Sequence, residues 1–242
     1  MKMPKIAQLL RDNAARPRSL KVDVKDDEAT VYIYDVIGFD FWTGEGVTAK
    51  RFAEEIDKLQ AKTIHLRINS PGGDVFEARA MVAAMQRHPA KFEAHVDGLA
   101  ASAASFIAVR ADTLNMTPGS MLMVHNAWTM AVGDHRAMVE AGELLKKVDG
   151  TIADDYQRKS GKPRDEIVAW MDSETWFTAE EAVSAGLADA VTGSKVKAQA
   201  WNLAAYENAP APQPEPEPEP EFGEHHMKNL ERRLALLERA PA

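Results

Sequence analysis

Residues 98–112 read GLAASAASFIAVRAD, a serine-bearing alanine run entered through a glycine. Ser102 sits early in that run, where a helix would start. A serine there has two uses. It can cap the first turn through its hydroxyl, or it can be a nucleophile whose developing negative charge meets the free backbone N–H groups of the helix start. On this stretch alone both readings stand. Ser105, one turn later, fits packing or a local hydrogen bond.

A serine nucleophile needs a base within hydrogen-bond reach and usually a carboxylate to orient that base. Of the seven histidines, His125 in SMLMVHNAW ends an apolar segment and is the candidate base, a satisfied core residue being the plainer use of a histidine there. His65 and His95 alternate within strand-like runs, His88 and His135 fall at helix ends, and His225 and His226 lie in the tail. Carboxylates beyond His125 that precede an apolar segment are Asp172 and Glu174 in WMDSETWFTAEEA, and either could complete a triad. Surface charge or capping is the plainer use of each. Upstream, INSPGGDV carries Gly72 and Gly73 after a strand-like run. Paired glycines there permit unusual dihedrals and close backbone approach to a ligand, and they serve equally well as a simple strand-to-helix turn.

These residues need elements to hold them. LKVDV and ATVYIYDVI flank the turn KDDE as two strands. Residues 48–61 have a Thr cap and helical spacing, KTIHLRINS is a β-branched strand, and VFEARAMVAAMQRH follows SPGGD as a helix. KFEAHVDG is the next strand, with the Ser102 run as the helix after it. Short strands DTLNMTP and SMLMVHNA come next. Residues 134–159 form one long amphipathic helix with Met138, Leu144, Leu145, Val148 and Ile152 near one face. KPRDEIVAWM and TAEEAVSAG are two more helices, the second closed by Gly186. The alternation predicts an α/β fold.

Bulk properties narrow the chemistry. The chain has 242 residues, 45% hydrophobic, and no cysteine, which excludes disulfides, thiolate metal sites and a cysteine nucleophile. Its net charge of −8 lacks the basic stripe of a nucleic-acid binder. MKMPKIAQLLRDNAARPRS lacks the long apolar core of a signal peptide, and no window reaches the ~18 apolar residues of a membrane span. The expected setting is soluble and cytoplasmic. No G-x-x-x-x-G-K-[ST] loop is present, so ATP use would belong to a partner. No cofactor and no metal is expected. Four segments are expected: an N-terminal arm over 1–18, a main domain over 19–206, a disordered Pro/Glu-rich linker over 207–224 that is extended and self-repelling, and a short amphipathic helix over 225–242 with Leu230, Leu234, Leu236 and Leu237.

INSPGGDVFEA, GLAASAASFIA, MLMVHNAW and ETWFTAEEAVSAGLAD, in this order and spacing, resemble the ClpP-type serine peptidases over roughly residues 20–192. HNAW followed by a GD turn, with ETWFTAEEA, resembles most the phage and prophage head-maturation branch. The resemblance implies a crotonase-like ββα spiral, with Ser102 as nucleophile, His125 as base, and Glu174 where the family usually has aspartate, Asp172 being the fallback. It implies oxyanion donors at the Gly73 and Ala103 backbone N–H groups, a peptide bound beside Gly72–Gly73, and stacked homo-oligomeric rings meeting at helix 134–159. Partners would be a peptide or protein substrate, a capsid or scaffold protein, or an unfoldase ATPase. Competing readings are an acyl-CoA enzyme on the same fold, a Ser–Lys peptidase, and an inactive assembly scaffold whose working part is the C-terminal helix.

Overall fold

The computed structural model describes residues 5–13, 20–39, 46–193 and 201–210. Met1–Pro210 forms one compact unit. The expected C-terminal helix and most of the Pro/Glu-rich linker lie outside the described residues.

A single sheet organises the unit. Strands β1 (Leu20–Lys25) and β2 (Glu28–Ile33) form an antiparallel hairpin, with Leu20 opposite Ile33. Its tight turn takes Asp26 to φ 54°. β2 then pairs in parallel with β3 (Thr63–Ser70), and β3 in parallel with β4 (Lys91–Ala101). The register slips near the end of that last pair, from Ile68↔Val96 to Ser70↔Ala100, so β4 accommodates extra residues there. β4 thereby serves two neighbours: residues 93–96 pair with β5 (Thr113–Met116) and residues 99–101 with β6 (Met121–Val124). β7 (Thr175–Thr178) closes antiparallel on β6, and β8 (Ala190–Val191) pairs with β5.

The helices pack on one face because strand alternation puts the apolar residues there. Val31, Ile33, Ile64, Leu66 and Ile68 meet Phe52 and Ile56 of α2 (Ala49–Ile56), Met81 and Met85 of α3 (Val75–Arg87), and Phe106 and Ile107 of α4 (Ala103–Val109). Local chemistry sets the helix ends. Thr48 caps α2 by accepting from the Arg51 N–H, and Asp74 caps α3 by accepting from Phe76 and Glu77. The long helix α5 (His135–Ser160) ends at Gly161 in the left-handed conformation. α6 (Arg164–Asp172) and α7 (Ala179–Ser184) follow, the latter opened by a full Thr178–Glu181 capping box. Arg79 of α3 ties α5 in by pairing with Asp155 and lying 4.9 Å over the Phe106 ring.

A second, smaller apolar cluster lies around the end of β4. Leu9 of α1 (Lys5–Asp12), Leu99, Ala101, Met123, Ala205 and Tyr206 form it, with Trp176 and Trp201 packed alongside. It brings residues 201–210 against the body, and Asn13 clasps that segment by bonding both the carbonyl and the N–H of Asn202.

One local expectation changes. The helix expected from Gly98 starts only at Ala103, because Leu99, Ala100 and Ala101 extend β4 to pair with β6. The stretch TWFT forms β7, with Phe177 and Trp176 opposite Leu122 and Met123.

Leu66, fully buried in the middle of β3, tests the core. Leu66→Ala should cost about 2–5 kcal/mol, read as a lower urea midpoint at unchanged slope.

Candidate active site

β3, β4 and β6 run parallel, so their carboxyl ends share one edge of the sheet, and antiparallel β7 starts at that edge. Pro71–Gly73, Ser102, His125 and Glu174 each lie immediately beyond one of these strand ends.

Ser102 occupies the junction between β4 and α4 at φ 54°, ψ −124°. This region is costly for a residue with a Cβ, by about 1–3 kcal/mol. Backbone bonds hold it there. Its N–H donates to Met123 O at 3.0 Å, and its carbonyl accepts from the Ser105 N–H at 2.9 Å and the Ser105 hydroxyl at 2.7 Å. That same hydroxyl contacts the Tyr156 hydroxyl at 2.7 Å. The Ser102 side chain makes no capping bond to α4. Its Oγ instead lies 2.7 Å from His125 Nε2. Of the two uses open to Ser102, the cap is absent and the histidine partner is present.

Gly72 and Gly73 stand against this serine at φ 92° and φ 150°. Ile37 pairs with Gly73 through a parallel bridge: its N–H donates to the Gly72 carbonyl at 2.8 Å, and its carbonyl accepts from the Asp74 N–H at 2.8 Å. That pattern turns the Gly73 N–H to the other edge, toward the cleft it lines with Ser102 and Ala103. Neither glycine can be replaced freely. A Cβ on Gly73 would sit 1.9 Å from the Ile37 carbonyl oxygen, and one on Gly72 would sit 2.7 Å from Ser102 Cβ.

His125 is buried, 8% exposed, just past β6. Glu174, also 8% exposed, has φ 45°. Ser102, Glu174 and the hairpin residue Asp26 are the three non-glycine residues with positive φ among the described residues. Glu174 Oε1 accepts from the Asn208 N–H at 2.7 Å and the Trp176 indole at 3.4 Å. Asp172 is exposed and accepts from the Asn126 amide at 2.7 Å. The structure thus brings Ser102 and His125 into hydrogen-bond contact and buries Glu174 in the adjoining wall, while Asp172 stays at the surface.

Tyr206 belongs to this wall and was not foreseen from the sequence. Its ring meets the His125 ring edge to face, centroids 5.4 Å apart at 81°, and the Trp176 ring at 5.8 Å. Its hydroxyl donates to the Pro71 carbonyl. Burial pushes the phenol's ionisation well up, a hydrogen bond with Ser102 opposes that rise, and the Glu174 charge adds to it. Tyr206 therefore stays a neutral donor at working pH.

A cleft of about 420 Å³ opens beside Ser102, walled by Phe76, Trp128, Leu145, Val148 and Ile152. Its lining is apolar with a few convergent polar groups, as in sites that bind a ligand. A larger cavity of about 590 Å³ between α4 and α5 is lined by Arg110, Asp112, Asp155, Arg158 and Lys159, away from the serine–histidine pair. Elsewhere, His65, Glu93 and His95 bring ligand-type atoms within 4.8 Å of one another on β3 and β4. His65 Nδ1 and His95 Nε2 share a 3.1 Å hydrogen bond, and Glu93 pairs with Lys91 at 2.8 Å. Burial, with the Arg67 charge next, holds the His95 imidazole below its ordinary value. Among the described residues, no helix is long and apolar enough to cross a membrane.

The Clp protease family profile matches residues 47–195. An ATP-dependent Clp protease proteolytic subunit of Pleurastrum terricola is 29% identical over 137 residues, which is 56% of this chain and 70% of that protein. Proteolytic subunit 1 of Protochlamydia amoebophila is 34% identical over 138 residues, covering 55% of this chain and 66% of that protein. Proteolytic subunit 1 of Chlamydia caviae is 32% identical over 159 residues, covering 61% and 83%.

The glycine geometry makes a paired prediction. Gly73→Ala, with its clash and its φ, should destabilise the fold by about 1–3 kcal/mol. Gly142→Ala, in α5 with open space around its Cβ, should stabilise by about 0.5–1 kcal/mol. Urea unfolding of the two variants should move in opposite directions.

Proposed function

The chain belongs to the Clp protease family, and from that premise we propose that it is a serine endopeptidase acting through Ser102, His125 and Glu174. The observation that carries this reading is the 2.7 Å contact between Ser102 Oγ and His125 Nε2, made by a serine held in a strained backbone at the mouth of a cleft.

A substrate peptide lies extended along Gly72–Gly73 with an apolar side chain in the cleft. Ser102 Oγ adds to the scissile carbonyl carbon as His125 Nε2 takes its proton. The resulting oxyanion is received by the Gly73 and Ala103 backbone N–H groups. The carbon–nitrogen bond then breaks, and His125 returns the proton to the departing amine. Water repeats the sequence on the acyl ester, with His125 again as base, and frees Ser102. Glu174, its Oε1 fixed by Asn208 and Trp176, orients the imidazole through Oε2 and stabilises the transient imidazolium. Burial and position favour Glu174 over exposed Asp172 for this role.

The finer assignment follows the same resemblance: a crotonase-like ββα spiral of the phage and prophage head-maturation branch, working in the cytoplasm on capsid or scaffold protein. Met138, Val139 and Leu144 stand exposed on α5, which suits a helix that meets a second copy in stacked rings. An acyl-CoA enzyme on the same fold would need the oxyanion donors but no serine–histidine contact.

A fluorophosphonate probe tests the reading. Wild type should label on a single serine and Ser102→Ala should not; absence of labelling on the assembled wild type would favour the acyl-CoA or scaffold alternatives. His125→Ala should lower the labelling rate by about 10³-fold or more. Glu174→Gln should lower it by about 10²–10⁴-fold and Asp172→Asn by less than about threefold; the reverse order would transfer the third role to Asp172.

A further inference from the structure

We propose that residues 201–210 are a built-in buttress of the catalytic pair, with Tyr206 as its positioning residue; this rests on the serine-peptidase reading above. Contacts of this segment with the site carry it. The Tyr206 ring, 6% exposed, sets its face-to-edge packing directly on the imidazole of His125. Its hydroxyl holds the Pro71 carbonyl, one residue before Gly72–Gly73. Two residues on, the Asn208 N–H holds Glu174 Oε1 at 2.7 Å while the Asn208 side chain donates to Ser173 O at 2.9 Å. At the other end the segment is anchored by Trp201 Nε1 to Asn69 Oδ1 at 3.1 Å and by the Asn13–Asn202 clasp. One ten-residue segment therefore touches the base, the carboxylate and the turn that carries the glycine pair.

The side of approach decides what the segment does. The cleft beside Ser102 is walled by α3, α5 and residues 127–130, and residues 201–210 line none of it. Tyr206 lies between the His125 and Trp176 rings, meeting both edge to face. The segment leaves the substrate route open, so it supports the site and does not plug it. An edge-to-face ring contact restricts the plane of the imidazole, and nucleophilic attack is sensitive to displacements of about 1 Å in the reacting groups. A hydroxyl on Pro71 also ties the oxyanion turn to the same ring, so base and oxyanion donor are set by one side chain.

The test uses the full-length chain and a fluorophosphonate probe, separating the maximal labelling rate from half-saturation. Tyr206→Ala should lower the maximal rate by about 10²-fold, with half-saturation changed less than about twofold. Tyr206→Phe keeps the ring and should recover all but about 3–10-fold, the equivalent of one hydrogen bond. Asn208→Ala keeps the backbone donor to Glu174 and Asn208→Pro removes it, so the proline variant should be slower by about a further tenfold. A folded Tyr206→Ala that labels within twofold of wild type overturns the buttress. So does a loss confined to half-saturation, which would place the segment in substrate binding. Should Tyr206→Ala not fold, the Phe variant and the Asn208 pair decide by the same margins: wild-type rates in all three overturn the proposal. A wild type that does not label at all removes the peptidase reading itself, and the buttress with it, whereas a labelled wild type with unaffected variants removes the buttress alone.

Discussion

The backbone of Ser102 is the constraint around which the site is arranged. Its φ of 54° lifts the hydroxyl away from α4 and toward His125, at a conformational cost that local bonds must offset. They come from both sides: β6 supplies the Met123 carbonyl to the Ser102 N–H, and Ser105 binds the Ser102 carbonyl twice. Ser105 is in turn fixed to Tyr156, fully buried on α5. A tyrosine more than fifty residues downstream thus stiffens the Ser102 turn. The alanines around Ser102 fit the same need. A Cβ on Gly72 would already fall 2.5 Å from the Ala101 carbonyl oxygen, so the two turns leave no room for larger neighbours.

Sheet topology explains how residues so far apart in sequence reach one place. Parallel strands deliver their carboxyl ends to the same edge, so the turns after β3, β4 and β6 become neighbours without any long-range sequence pattern. Antiparallel β7 contributes its start, which puts Glu174 beside them. The register slip between β3 and β4 lets one strand serve both β5 and β6, and this carries Ser102 alongside Met123 and His125.

What was legible in the sequence divides along the range of the interactions. Ser102, the glycine pair and His125 each stand in a local setting that also fits a cap, a turn or a core residue, and it is their order and spacing together that single them out. The long helix runs over 135–160 against an expected 134–159, because amphipathic spacing and an Asp134 cap are local properties. The extension of β4 through Leu99–Ala101 was not legible, since alanine favours helix and only pairing with Met121–Met123 overrides it. Tyr206 and Asn208 were still less so. Nothing near AAYENAP marks it as part of a site; its contacts lie thirty or more residues away at Glu174, Trp176, His125 and Pro71.

The position of that segment has a cause in burial. Extending β4 and β6 to the site edge leaves Leu99, Ala101 and Met123 on the sheet face that the large helices do not cover. Leaving such apolar surface in water would cost roughly 25 cal/mol per Å². Leu9 from one end of the unit and Ala205 with Tyr206 from the other cover it. Once an aromatic ring is placed there for packing, its neighbours include the imidazole, and the surrounding low-dielectric wall strengthens the hydrogen bonds to Pro71 and Glu174. Covering the sheet and packing a ring against His125 are then one act of folding, so loosening the segment would expose Leu99 and Met123 and release His125 together.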